Sequence, residues 1–216
     1  MKKKIILGVI CASLIGIICF IGIKKDDTVN SADSIHPASE ETGWIEEKVV
    51  GNPDAAKVIV YEYADYGCAH CADWNKTINS LLEKYDGKIA LVFRSYNLGF
   101  QNGALAARAA TSAQLQGFFK EYKDLLFENQ AEWLHEEDES EELFVNYFSK
   151  VSDGKGDIDK FKEDLNSDAV KKRLDFEKSM GKKVNLRGTP LFRIDGQKIE
   201  LDKLAETIEE KVNQEK

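Results

Sequence analysis

Apolar and polar positions alternate along this chain with two different periods, and the order of those periods outlines an α/β protein. The run Lys57-Val58-Ile59-Val60-Tyr61-Glu62-Tyr63 is rich in β-branched and aromatic residues and predicts a buried strand. A helical period follows almost at once. Trp74, Ile78, Leu81, Leu82 and Tyr85 recur at three- and four-residue steps while Asp73, Lys76, Glu83 and Lys84 take the other face, so Ala69–Tyr85 is predicted as a helix. Lys88–Tyr96 alternates in part and predicts a second central strand, and Asn102–Gln116 is an alanine-rich helix suited to close packing. Further helices are predicted over Gly117–Asn129, Glu139–Val151, Ile158–Asn166 and Ser167–Met180. Leu191-Phe192-Arg193-Ile194, the turn Asp195-Gly196 and Gln197-Lys198-Ile199-Glu200 then give a hairpin signal, and Asp202–Val212 a last helix. Trp44–Val50 opens the domain as an edge strand. Strand, helix, strand, helical insertion at about 100–182, hairpin and helix predict a central mixed β-sheet flanked by helices, with a helical lid.

The N-terminus is patterned differently. Lys2-Lys3-Lys4 precedes the uncharged apolar stretch Ile5–Ile23, close to the ~20 residues that cross a bilayer as a helix. Residues 1–25 are therefore expected as an uncleaved signal anchor, 26–43 as a polar linker serving as a flexible tether, and 44–216 as one folded domain outside the cell membrane. Cys11 and Cys19 fall in the anchor roughly 12 Å apart along a helix, too far to bridge. A net charge of −8, with no basic patch interleaved with aromatics, argues against nucleic acid as a partner. The acidic runs Glu136–Glu142 and Glu206–Glu210 are expected as solvated helix faces. Asp153–Asp159 lacks the acidic spacing and terminal Glu of a calcium loop.

The chemistry is concentrated in Cys68-Ala69-His70-Cys71, placed where the first strand runs into the first helix. Residues three apart on a helix share a face, so the two sulfurs can join or separate with little backbone movement. Unpaired N–H groups and the positive end of the helix dipole favour a Cys68 thiolate. Cys68 is thus expected to form the mixed disulfide with substrate and Cys71, one turn inside, to resolve it. A protonated His70 beside the Cys68 sulfur would favour the reduced pair and make the oxidised pair a stronger oxidant. Half a zinc site has the same spacing, but outside the anchor the chain has no other cysteine, and His36 and His135 lie far off without ligand-like neighbours. A static structural disulfide would close only a two-residue loop and stabilise little. No metal is expected.

Together with Arg187-Gly188-Thr189-Pro190 leading into the hairpin, these elements resemble the thioredoxin superfamily. The His at the third position of the motif, the long helical stretch between the two halves and Phe118-Phe119-Lys120-Glu121-Tyr122-Lys123-Asp124-Leu125-Leu126-Phe127-Glu128 resemble its DsbA-like branch, of the membrane-anchored BdbD/DsbA type. The similarity covers about Gly51 to Val212. It implies a thioredoxin fold with an inserted helical subdomain, a cis bond before Pro190, and a Gly188-Thr189-Pro190 loop that faces the cysteines and pairs its main chain with an extended substrate. It also implies that Glu62, six residues before Cys68, is a buried acid of raised pKa that serves Cys71 through a water. The alternative for Glu62 is an ion pair to a lysine at the strand's edge. Relatives usually carry Pro where this chain has Ala69, so the helix start is less rigid here.

The function implied is an extracytoplasmic thiol:disulfide oxidoreductase that introduces disulfides into reduced or unfolded exported proteins. Its only redox group is the Cys68–Cys71 disulfide, with no added cofactor, and its reoxidant is a quinone-linked membrane protein of the DsbB or VKOR kind. A disulfide reductase or isomerase is the alternative enzyme, though isomerases of the family usually dimerise through an extra N-terminal domain. A tethered thioredoxin-like chaperone is the non-catalytic alternative.

Overall fold

The computed structural model describes residues 32–135 and 141–214; the expected anchor and most of the acidic run 136–142 lie outside the described residues. Strands β1 (Lys48–Val50), β2 (Val58–Ala64) and β3 (Ile89–Ser95) join the later hairpin β4 (Leu191–Ile194) and β5 (Gln197–Ile199) in one mixed sheet ordered β1-β3-β2-β4-β5. β2 and β3 pair in parallel through a crossover helix, α1 (Ala69–Lys84), and the other neighbours are antiparallel. All of β3 and all of β2 except Ile59 are buried, which is why these strands read as almost continuous apolar runs.

Between β3 and β4 the chain builds its helical insertion from α2 (Gly103–Gln114), α3 (Phe119–Glu128), α4 (Gln130–Trp133), α5 (Glu141–Ser152), α6 (Ile158–Leu165) and α7 (Asp168–Lys183). Two of these starts carry local signals: Asp157 accepts from the Lys160 N–H and Ser167 from the Val170 N–H, each satisfying a first-turn donor. Ala106, Ala109, Ala110 and Ala113 are fully buried in α2, and their small side chains let α3, α6 and α7 approach. A 3₁₀ turn at Leu201–Lys203 replaces the first turn expected of the last helix, α8 (Leu204–Asn213). α4 had no sequence signal, being one turn with no period to read. Among the described residues no helix is long and apolar enough to cross a membrane.

Strand alternation divides the sheet's two faces. Val58, Val60 and Phe93 belong to the main core with Ile78 of α1, Leu126 of α3 and Ile208 of α8. Tyr63 faces the other way, into a smaller cluster with Phe176 and Met180 of α7, Leu191 and Ala32.

Ala32 corrects the expected tether. The polar stretch 26–41 is packed onto the domain from Ala32 onward: the Arg94 guanidinium donates to the carbonyls of Ala32 and Ser34, the Tyr63 hydroxyl donates to Ala32 O at 3.2 Å, and Arg193 pairs with Asp33 at 2.8 Å. Composition gave no hint of this, because the partners lie at least 30 residues away and are themselves buried. The same face holds a charged cluster with no sequence signature. Arg94 and Arg173 both pair with Glu47, at 3.0 and 2.7 Å, and Glu177 pairs with Arg173 at 2.9 Å and with Lys48. Burial alone would raise the Glu177 carboxyl, but Lys48 and Arg173 hold it below its ordinary value. All five side chains are shut away from solvent, so loss of one member would strand its partner's charge at a cost of about 3–5 kcal/mol.

Candidate active site

The site is built where β2 ends. Asp65 is buried, and its carboxylate accepts from the Gly67 N–H at 2.9 Å and from the Leu98 N–H, tying the β2–α1 turn to the loop after β3. Gln130 of α4 donates to Tyr66 O at 2.6 Å from the insertion side. Gly67 has no room for a side chain: a Cβ there would stand 2.4 Å from Phe100 Cβ. This frame delivers Cys68 to the N-cap of α1 in extended conformation, with Cys71 N–H and Ala72 N–H both donating to Cys68 O, at 3.0 and 3.2 Å.

Both cysteines are free thiols and they are not equivalent. Cys68 keeps 7% of its surface and its Sγ donates to Thr189 O at 3.5 Å, whereas Cys71 keeps none. The Thr189–Pro190 bond is cis. The Thr189 Oγ1 is buried and lacks a partner in hydrogen-bond geometry, yet it lies near enough to Cys71 to favour its thiolate. That help is insufficient: burial pushes the Cys71 thiol far up, the Thr189 hydroxyl and the Asp65 N–H offset part of this, and Cys68 and Glu62 push it further. Burial thus disfavours Cys71 as a bare thiolate, and a proton partner would ease its attack or its departure.

Glu62 lies near enough to Cys71 to act on its thiol electrostatically. Its side chain is buried, neither carboxylate oxygen has a hydrogen bond, and burial pushes it up to about 7, with Lys123 pulling down and Asp124 pushing up. A carboxyl poised near neutrality can take or give a proton with little driving force lost either way. The ion pair to a strand-edge lysine, the alternative reading, is not formed among the described residues. On the outer side, Arg187, Gly188, Pro190, Leu191, Lys198 and Ile199 line part of a groove of about 360 Å³. Gly188 is exposed with open space where a side chain would stand, so its backbone is accessible to an extended chain.

A family model described as Thioredoxin matches residues 45–214. The chain belongs to the thioredoxin family. A Bacillus anthracis protein described as "Probable disulfide bond formation protein D" is 27% identical over 204 residues, covering 90% of this chain and 89% of its own length. Among solved structures, BdbD from Bacillus subtilis superposes with a TM-score of 0.63 at 21% identity, over 83% of this chain and 98% of its own. MdbA, a thiol-disulfide oxidoreductase from Corynebacterium diphtheriae, superposes with a TM-score of 0.64 at 18% identity, over 86% and 99%. This thioredoxin-family chain is a DsbA-like thiol:disulfide oxidoreductase with the expected α/β fold, a mixed five-stranded sheet carrying a helical insertion.

Of the residues singled out in the sequence, this fold brings Cys68, Cys71, Glu62, Thr189 and Pro190 around one point and leaves Gly188 at its rim. His70 is exposed on the first turn of α1, and among the described residues its ring makes no hydrogen bond or ion pair. Asp65 and Lys123 were missed. Asp65 had no signal beyond its place in a turn, whereas Lys123 had one: it sits four residues from both Phe119 and Phe127, in the middle of an apolar stripe.

Proposed function

We propose that this chain works outside the cell membrane as a disulfide donor to reduced or unfolded exported proteins, anchored by the apolar stretch Ile5–Ile23. The observation that supports the donor reading is the asymmetry of the pair: a Cys68 that keeps 7% of its surface, against the Thr189 carbonyl, and a fully sealed Cys71 whose thiolate is strongly disfavoured near a carboxyl poised near 7. In the donor direction a substrate thiolate attacks Cys68 Sγ and the Cys68–Cys71 bond breaks. Cys71 leaves with the electron pair and takes the proton of neutral Glu62. A second substrate thiolate then attacks the substrate sulfur of the mixed disulfide, forming the substrate disulfide and releasing Cys68 as thiolate. Two electrons have passed to the protein, and its reoxidant is proposed to be a quinone-linked membrane partner of the DsbB or VKOR kind.

The groove beside Gly188, Thr189 and Pro190 supports binding of an extended substrate through main-chain hydrogen bonds, with little sequence preference. His70, exposed on the first turn of α1 two positions from Cys68, is proposed to favour the reduced pair. The test is a single-turnover transfer assay. Oxidised protein mixed with a reduced, unfolded two-cysteine polypeptide is expected to yield one substrate disulfide per Cys68–Cys71 pair, read by mass after acid quench. Accumulation of reduced polypeptide from the reverse mixture alone would instead support the reductase. Binding of the polypeptide with no exchange in either direction would support the chaperone.

A further inference from the structure

We propose that Lys123, supplied by the helical insertion and clamped to the active-site helix, is the positioning cation that sets the proton affinity of Glu62. The inference rests on the assignment of Glu62 as proton partner of Cys71. Its geometry comes from three elements. On α3, Phe119, Lys123 and Phe127 form one stripe at four-residue steps, and Phe119 and Phe127 both contact the Phe93 ring, with centroids 5.7 and 6.3 Å away. Phe93 is the β3 residue paired in register with Glu62 on β2, so the stripe lies over the strand pair at Glu62 with Lys123 at its centre. The third element is α1. Asn75, one turn beyond Cys71 and buried, accepts from Lys123 Nζ, while Asn79 accepts at 3.5 Å and Asp124 at 2.7 Å. Asn75 and Asn79 also donate to Asp124 Oδ1, at 3.1 and 2.8 Å.

A lysine with no exposed surface in an otherwise apolar stripe is costly unless its charge has a use. Its visible partners account for its hydrogen bonds, yet they do not explain why the stripe carries a cation where Leu or Phe would pack. Glu62, with two unbonded oxygens, is the group that gains. Among the described residues, the ionisable surroundings of Glu62 are few. They comprise Lys123 and Asp124 from α3, Cys71 from α1 and Tyr66 from the turn, while its strand neighbours Phe93 and Phe192 are apolar. Lys123 favours the Glu62 carboxylate and Asp124 opposes it, so the insertion carries both signs of the adjustment. Because Asn75 and Asn79 belong to the helix that bears the cysteines, the lid cannot shift from α1 without moving this cation.

The experiment follows the Glu62 side-chain carboxyl by ¹³C NMR titration in the full oxidised chain, with the pH profile of disulfide transfer as the kinetic readout. Lys123→Met is expected to raise the Glu62 midpoint by about one pH unit and to move the inflection of the transfer rate with it. Asp124→Asn should move both downward, and Lys123→Arg should leave them near the wild-type position. The opposed signs separate positioning from loosening, since admitting water would lower the midpoint in both variants. An unmoved or lowered midpoint in Lys123→Met, with the wild-type carboxyl titrating near neutrality, overturns the proposal and leaves Glu62 in its role. A wild-type Glu62 that titrates at an ordinary carboxylate value overturns the assignment on which the proposal stands.

Discussion

Replacing Cys68 with Ser is expected to abolish disulfide exchange, a loss of about a thousandfold or more, while the chain folds as before. The expectation follows from where each sulfur sits. Cys68 alone retains surface, and a nucleophile or an incoming thiolate must approach in line with the bond it makes. Cys71 is sealed beneath the first turn of α1, and its thiol is held far above neutrality by burial, so it cannot substitute for Cys68. Little folding energy is at stake at Cys68 itself, because its side chain makes one weak bond, to Thr189 O at 3.5 Å. Cys71→Ser should behave differently: with no Cys68–Cys71 disulfide it cannot donate, but its Cys68 thiolate still attacks a disulfide-bonded substrate, releasing one substrate thiolate, and that mixed disulfide persists because Cys71 is absent to resolve it. Non-reducing mass analysis after quench distinguishes the two. Transfer that survives in Cys68→Ser would mean that the roles of the cysteines are reversed or that the activity does not pass through them.

Glu62→Gln is expected to make the protein more stable above neutral pH, and the pH dependence of that gain identifies its cause. Burial raises the folded-state carboxyl from 4.5 to about 7, so between those pH values the folded chain holds a proton that the unfolded chain has released. Stability of the wild type therefore falls as pH rises through this window and is level above it. The interval of about 2.5 units corresponds to about 3.5 kcal/mol at about 1.4 kcal/mol per unit. Gln carries no charge in either state, so the variant should show no such fall and should exceed the wild type by about that amount at pH ~8 relative to pH ~4. Urea unfolding across this range, with the pair in one redox state throughout, provides the measurement. Parallel stability curves for the two proteins would show that Glu62 titrates normally and would remove the proton partner from Cys71. The same substitution should slow transfer, since Cys71 would then lack its proton source; stability gained and activity lost at one residue is the pattern expected of a strained functional group.

The two periods in the sequence made β2, α1, β3 and the hairpin legible, and with them the place of Cys68 and Cys71 at a strand-to-helix junction. Each of those signals is local, carried within about a dozen residues. What escaped was set by partners distant in the chain. Lys48 and Glu177 are 129 positions apart, and neither has a neighbour that announces a buried ion pair. Polar composition pointed to a free tether up to Glu41, yet Arg94 and Arg193 hold Ala32, Asp33 and Ser34 against the sheet. Helix ends shifted by one to three residues, as at the close of α7, which runs to Lys183. Lys123 is an intermediate case: its place in an apolar stripe was on view in the sequence, but only the fold shows that the stripe covers Glu62. The loop before Pro190 reached the site through family resemblance, since a Thr-Pro dipeptide alone does not specify what it faces.

The most direct test of the donor account is the equilibrium of the purified chain with a glutathione redox buffer, read by alkylation of Cys68 and Cys71. The account predicts a pair that stays reduced until the buffer is strongly oxidising, because a pair that readily gives up its disulfide is one whose dithiol form is favoured. A pair already oxidised in reducing buffer would contradict it, and would make this thioredoxin-family chain a reductase or leave its disulfide structural.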